Sequence, residues 1–169
     1  MTVTLRPAAA EDLMAVGMLH QRSRVAAYSS FLPPATLADP APEAMGRYWV
    51  ERWEWERGNH RMTLAERAGE LVGFSYVGPD DGGDPVTGLL HAIHLEPTEQ
   101  GRGVGRELMI DALAGMRVRG WRRAVLWVLR GNTHARRFYE RGGWAATGTE
   151  RDDWIGPTLT PQLRYARRV

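Results

Sequence analysis

Two stretches of this chain are apolar almost without relief. Leu89 to Leu95 reads Leu-Leu-His-Ala-Ile-His-Leu, and Ala124 to Leu129 reads Ala-Val-Leu-Trp-Val-Leu. Such runs suit strands covered on both faces rather than strands with one wet side. Between them Val104, Leu108, Met109, Ala112, Leu113 and Met116 recur at the spacing of one helical stripe, and Gly120 closes the segment. Strand, helix and strand in this order predict a βαβ unit with parallel strands and a right-handed crossover.

The flanking pattern supplies the remaining elements. Thr2 to Leu5 alternates weakly up to Pro7 and predicts a short strand. Glu11 and Asp12 favour a helix start; Leu13, Val16, Leu19 and His20 share a face, with the helix running to about Tyr28. Ser29 to Pro34 breaks the pattern and leaves Phe31 and Leu32 in a loop, either as a plain connection or as pocket lining. Pro42 and Glu43 open a second long helix through Glu56, on which Trp49 and Trp53 face the same way. Arg61 to Ala65 and Glu70 to Val77 predict a hairpin, with Val72, Phe74 and Tyr76 on one face. Asn132 or Thr133 caps a short helix carrying Ala135, Phe138 and Tyr139. Trp144 to Thr149 and Leu159 to Ala166 read as the last strands. The expectation is one mixed α/β domain over residues 1–169, α+β-like, with a central mixed sheet of about six or seven strands and about four helices.

Composition narrows the chemistry. The 169 residues include no cysteine, which removes disulfides and thiolate metal sites and fits a cytoplasmic protein. No apolar run approaches a membrane span, and the first residues lack the pattern of a signal peptide. A net charge of +2 gives no reason to expect nucleic acid as a partner. All 22 basic residues are arginine, so no lysine can serve as nucleophile, Schiff-base former or P-loop residue. Asp80-Asp81-Gly82-Gly83-Asp84 lacks the spacing of a calcium loop, and no metal site is expected.

The candidate chemistry lies at Gln100-Gly101-Arg102-Gly103-Val104-Gly105, between the first apolar strand and the helix. Glycines at alternate positions bare the backbone, and the helix start adds unpaired N–H groups and a positive dipole end, so the turn suits a large anion. A dinucleotide fingerprint would need glycine where Arg106 stands, and a P-loop would need lysine. Both are excluded.

The same hexapeptide resembles the Gln/Arg-x-x-Gly-x-Gly/Ala signature of the GNAT superfamily of acetyl-CoA-dependent N-acetyltransferases. Leu95-Glu96-Pro97 resembles the end of that family's central strand. Leu126 to Leu129, followed by Asn132, Ala135 to Glu140 and Gly142-Gly143-Trp144, resembles its second half-motif. Weaker similarity extends from Leu5-Arg6-Pro7 to Leu163-Arg164-Tyr165.

The resemblance implies a sheet whose two parallel strands splay apart around acetyl-CoA, the acetyl donor, and direct attack of a primary amine on the thioester in a ternary complex. It implies that backbone N–H groups of Gly101, Arg102, Gly103, Val104, Gly105 and Arg106 hold the pyrophosphate beside Gln100. Backbone groups of Ile93, His94 and Leu95 would meet the pantetheine arm. Asn132 would contact the cofactor, cap its helix, or both. Tyr139 would act as general acid or merely pack against Phe138. The family's usual glutamate falls at Leu89, which leaves His91, His94 or a water as the base. Arg102, Arg106, Arg136 and Arg137 compete for the 3′-phosphate. Phe31, Leu32, Trp49 and Trp53 are candidates for the acceptor site. A homodimer is compatible with the family, and a catalytically silent acyl-CoA sensor on the same fold is the alternative.

Overall fold

The computed structural model describes residues 2–169 and contains one seven-stranded mixed sheet in the order β1-β2-β3-β4-β5-β7-β6. The strands are β1 (Thr4–Pro7), β2 (Arg61–Arg67), β3 (Glu70–Pro79), β4 (Thr87–Leu95), β5 (Arg123–Leu129), β6 (Ala145–Ile155) and β7 (Thr158–Arg168). The helices are α1 (Leu13–Tyr28), α2 (Pro34–Leu37), α3 (Pro42–Glu56), α4 (Val104–Val118) and α5 (Thr133–Arg141). The expected βαβ unit is β4-α4-β5, and β4 and β5 are the parallel pair in an otherwise antiparallel sheet. Among the described residues, no helix is long and apolar enough to cross a membrane.

Helices cover both faces. The stripe of α4 packs Met109, Ala112, Leu113 and Met116 on Leu90, Leu126 and Val128. On the other face α1 and α3 close over Leu64, Phe74, Tyr76 and Ala92 with Leu13, Val16, Leu19, Met45 and Trp49. These two helices meet at glycines: a Cβ on Gly17 would lie 2.3 Å from the Gly46 backbone. Contact this close is open only to residues without side chains, and it sets Trp49 and the next turn of α3 down on the sheet.

Two bulges change the faces that alternation predicts. The β2–β3 register slips after Ala65, which pairs with Gly73 while Glu66 pairs with Leu71. Val72 is therefore an extra residue and joins the α4 side with Val104 and Leu108, whereas Phe74 and Tyr76 face α1 and α3. The second slip lies in β4, where Ala92 pairs with Tyr76 but Leu90 with Val77. His91 is the inserted residue. Below it Leu90 points to α4; above it Ile93 and Leu95 do the same.

Two further segments go beyond expectation. A short helix, α2, follows the predicted loop from Pro34, and Leu32 is buried with Leu37 and Leu129. Strand β6 runs to Ile155, well past Thr149, through the polar segment Glu150-Arg151-Asp152-Asp153, nearly all of it exposed.

Candidate active site

The β4–β5 ladder holds from Thr87↔Arg123 to Leu90↔Leu126 and then ends. Beyond those pairs the strands diverge, so the edge of β4 from His91 to Leu95 lacks its neighbour in the sheet. A cleft of about 450 Å³ occupies the gap. Its lining joins Leu90 to Leu95, the glycine turn, Trp127 to Leu129, Asn132 and Tyr139. The Ile93, His94 and Leu95 backbone thus stands at an open strand edge, ready to pair with an extended ligand arm.

At the foot of the cleft, Gly101 and Gly103 adopt φ of +76° and +85°. An L side chain is strained there, yet a Cβ on either would meet no protein atom within 4 Å. The conformation requires glycine, and the space in front of it is open. Gly103 caps α4, and Val104, Gly105 and Arg106 form its first turn, whose N–H groups have no intrahelical acceptors. The Arg102 N–H instead donates to the Glu99 carbonyl at 3.3 Å. Glu99, buried, also pairs with Arg67 and Arg102 and so pins the turn from below.

A diphosphate fits this cradle of free N–H groups at a positive dipole end. Of the four arginines in competition, Arg106 lines the cleft, while Arg136 is committed to the Tyr165 hydroxyl and the Arg130 carbonyl. Arg102 and Arg137 are not among the lining residues. Arg141 and His134 are, and local motifs give no hint of either; they follow from the face of α5 that carries Phe138.

Asn132 caps α5 with Oδ1, which accepts from the Ala135 N–H at 3.2 Å. Asn132 lines the cleft, and its side-chain NH2 has no partner among the described residues. Tyr139 is buried, with ring centroids 5.5 Å from Phe138 and 6.2 Å from Trp144. Burial, helped by Tyr28 nearby, raises its phenol above the ordinary value, so it carries its proton at any physiological pH.

The bulge at His91 puts His91, Ala92 and His94 on the same face, towards α1 and α3. His91 Nδ1 is 2.9 Å from Arg52 Nη2, and a guanidinium can only donate, so that nitrogen is an acceptor and the ring proton sits on Nε2. Burial first, then the Arg52 cation, pushes His91 down to about 3. Its lone pair is already in use. His94 Nδ1 lies 3.0 Å from the Ser23 hydroxyl, which can donate or accept. His94 also packs 4.1 Å, centroid to centroid, from His20. Burial and Arg24 lower His94 to about 4. His20 accepts from Trp49 Nε1 at 2.9 Å and is likewise kept neutral, chiefly by burial.

Arg52 is the hub on α3. It donates to Glu56 at 2.7 Å, to the Tyr48 hydroxyl at 2.9 Å and to His91, and its cation lies 5.1 Å from the Tyr76 ring centroid. Burial works against the Glu56 charge, but the hydrogen bonds from Arg52 and Tyr76 hold it below the ordinary carboxylate range. His20, Ser23 and Arg52 come to the site from α1 and α3, and no local spacing announces them.

The acceptor-site candidates separate. Trp49 lines the cleft while packed on Phe74 and Tyr76. Phe31 lies against Gly131 and Tyr28 at the β5–α5 corner. Leu32 belongs to the core beneath it, and Trp53 packs on the α1/α3 cluster under Arg57, away from the cleft.

This arrangement can be set against known proteins. Residues 25–144 match the model of the acetyltransferase (GNAT) family. The chain belongs to the GNAT acetyltransferase family. Similar sequences include a mycothiol acetyltransferase of Thermobispora bispora, 40% identical over an alignment of 84 residues that covers 48% of this chain and 28% of that protein. Another, from Acidothermus cellulolyticus, is 34% identical over 160 residues, covering 70% of this chain and 49% of the relative. The chain thus spans about half or less of the length of these relatives. Among solved structures, the PaiA N-acetyltransferase of Thermoplasma acidophilum, in complex with coenzyme A, aligns over 100% of both chains with TM-score 0.83 at 17% identity. YncA from Salmonella typhimurium, with its cofactor acetyl-CoA, aligns over 99% of this chain and 94% of its own with TM-score 0.74 at 16% identity. The seven-stranded sheet with its splayed parallel pair is the GNAT fold. Among the described residues, no group of three or more His, Cys, Asp or Glu side chains is placed to hold a metal ion.

Proposed function

We propose that this chain is an acetyl-CoA-dependent N-acetyltransferase that moves the acetyl group to a primary amine in a ternary complex. The observation that carries the proposal is the parting of β4 and β5 after Leu90 and Leu126, above a glycine turn with free N–H groups. Membership of the GNAT family supports the same conclusion. The N–H groups of Val104, Gly105 and Arg106 take the diphosphate beside Gly101 and Gly103, and Arg106 and Arg141 add positive charge. The edge of β4 from Ile93 to Leu95 holds the pantetheine arm, and the Asn132 amide donates to it.

Acetyl-CoA supplies an activated thioester. The amine lone pair forms the C–N bond as the C–S bond breaks, and the electron pair leaves on sulfur. Tyr139, protonated and buried beside the cleft, donates to the departing sulfur. The surplus proton on nitrogen needs an acceptor. Arg52 occupies the lone pair of His91, which makes His91 a poor candidate. His94, with the Ser23 hydroxyl as partner, has a tautomer with Nε2 free and can pass a proton on to water. Its low basicity suits a relay rather than a sink.

Titration calorimetry with acetyl-CoA, followed by an amine panel reporting free coenzyme A thiol, tests the proposal. Tyr139→Phe is expected to lower turnover by about 10²- to 10⁴-fold, with coenzyme A affinity near wild type. A silent sensor would bind coenzyme A and turn over nothing. A wild-type protein that ignores coenzyme A would end the proposal.

A further inference from the structure

A second cavity of about 610 Å³ adjoins the cleft and shares part of its lining, including Arg52, Leu90, His91, Trp127 and Gln162. His91 and Trp127 are the first residues beyond the last β4–β5 pair, so the two spaces meet where the strands part. Four carboxylates, Glu56, Asp80, Asp81 and Asp153, line the second cavity and not the cleft, and two guanidiniums, Arg52 and Arg151, face them. Asp80 is paired with Arg164 at 3.2 Å, and Asp153 lies 3.7 Å from Arg151. Glu56 spends Oε2 on Arg52 and Tyr76, while Oε1 accepts from no described residue. Asp81 is exposed and has no side-chain partner among the described residues.

Gln162 gives an independent sign of a ligand. It is 9% exposed, and its Oε1 accepts from Arg151 Nε at 2.7 Å. Because a guanidinium only donates, that bond fixes which end of the amide is oxygen. The two N–H donors at the other end are then unpartnered among the described residues, on a side chain that lines both cavities. The amide nitrogen is open to the cavity rather than sealed in the core, so the protein leaves two donors there for whatever enters.

We infer that the second cavity is the acceptor site and that its acceptor is a small diamine, with one nitrogen at the junction and the distal ammonium against Glu56 and Asp81. The inference rests on the acetyl-transfer function proposed above. An acceptor bearing a carboxylate would face a wall with more negative than positive charge and find no free guanidinium. Arg52 has its donors on Glu56, Tyr48 and His91, and Arg151 lies 4.2 Å from the Trp127 ring centroid with its Nε on Gln162. At the junction the neutral His91 and the Arg52 cation disfavour a second positive charge, so the nitrogen held there is the one that sheds its proton. The Gln162 N–H groups are left to meet an oxygen, that of the acetyl carbonyl.

Titration calorimetry on protein saturated with coenzyme A, which carries no acetyl group and permits no turnover, tests this with three length-matched compounds. Binding of 1,4-diaminobutane is expected to be on the order of tenfold tighter than butylamine, with 4-aminobutanoate weakest. Asp81→Asn, at an exposed position without partners, is expected to reduce the diamine preference several-fold and leave coenzyme A affinity unchanged. Glu56→Gln is expected to abolish the preference, provided thermal unfolding shows an intact fold. A diamine that binds no better than butylamine, or a preference that survives both substitutions, overturns the acceptor assignment alone. Failure to bind coenzyme A in the same cell would sink the acetyl-transfer function as well.

Discussion

Gly103 separates the demands of the fold from those of the proposed ligand. It caps α4 at φ +85°, and a Cβ there would touch no protein atom within 4 Å. Gly103→Val therefore carries a backbone penalty but no clash. Holding an L residue in the left-handed region costs about 1–2 kcal/mol, and for a chain of this size each kcal/mol lowers Tm by about 2–4 °C. The expected loss is about 2–8 °C. Binding should suffer far more, because the valine side chain occupies the space where a phosphate must approach the first N–H groups of α4. Loss of two charge-assisted hydrogen bonds, at about 1.5–3 kcal/mol each, corresponds to weakening of about a hundredfold or more. Gly105→Ala is the control. Its Cβ would lie 3.5 Å from Leu95 and Phe138, which is ordinary contact, and alanine is favoured over glycine within a helix. Thermal unfolding and titration calorimetry with coenzyme A read the two effects separately. If Gly103→Val lowers Tm as expected but binds coenzyme A like wild type, the turn is not the phosphate site.

Other consequences are equally open to measurement. Gly17→Ala forces α1 and α3 apart and should destabilise the protein by about 1–3 kcal/mol in urea unfolding, despite the better helix propensity of alanine; unchanged stability would refute the close crossing. His94 and His91 are held neutral in the native state, at about 4 and about 3 against 6.5 for a free histidine. The unfolded chain binds more protons below pH 6.5, so stability should fall as pH drops from 6.5 towards 4. Tm that stays flat across that window in wild type, or a slope that His94→Gln leaves untouched, contradicts the burial of these rings. Ser23→Ala removes the hydroxyl beside His94 and is expected to lower turnover with little change in coenzyme A affinity; steady-state kinetics with a reactive amine would expose a purely structural role by showing no change.

The elements that frame the proposed donor site were legible in the sequence because they are local. The turn, the strand before it and the helix after it lie within about thirty consecutive residues, and the positive φ of Gly101 and Gly103 accounts for the glycines at those positions. The parallel pair followed from two largely apolar runs. Alternation failed at Val72 and past His91, because a bulge inserts one residue without leaving a signature in hydrophobicity. The far half of β6 was missed for the opposite reason: it is exposed and polar, so nothing in its composition marks a strand. The histidines were named as candidates, but the choice between them depends on Arg52 and Ser23, which lie 39 and 71 residues away from their partners. Gln162 and Glu56 had no motif around them; only the folded sheet brings them to one cavity.

The exposed hairpin of β6 and β7 has a bearing on how such a protein can change. The proposed donor cradle is built on β4 and α4, which carry one buried stripe each at the centre of the fold, so alteration of those stripes threatens folding itself. Arg151 and Asp153 stand on β6, an outer strand attached to the sheet through β7 alone and with hardly any buried residue. Substitutions on that strand can redraw one wall of the second cavity at little thermodynamic risk. Under the acceptor assignment proposed above, the choice of amine is thus free to drift across generations while the cradle opposite it stays fixed.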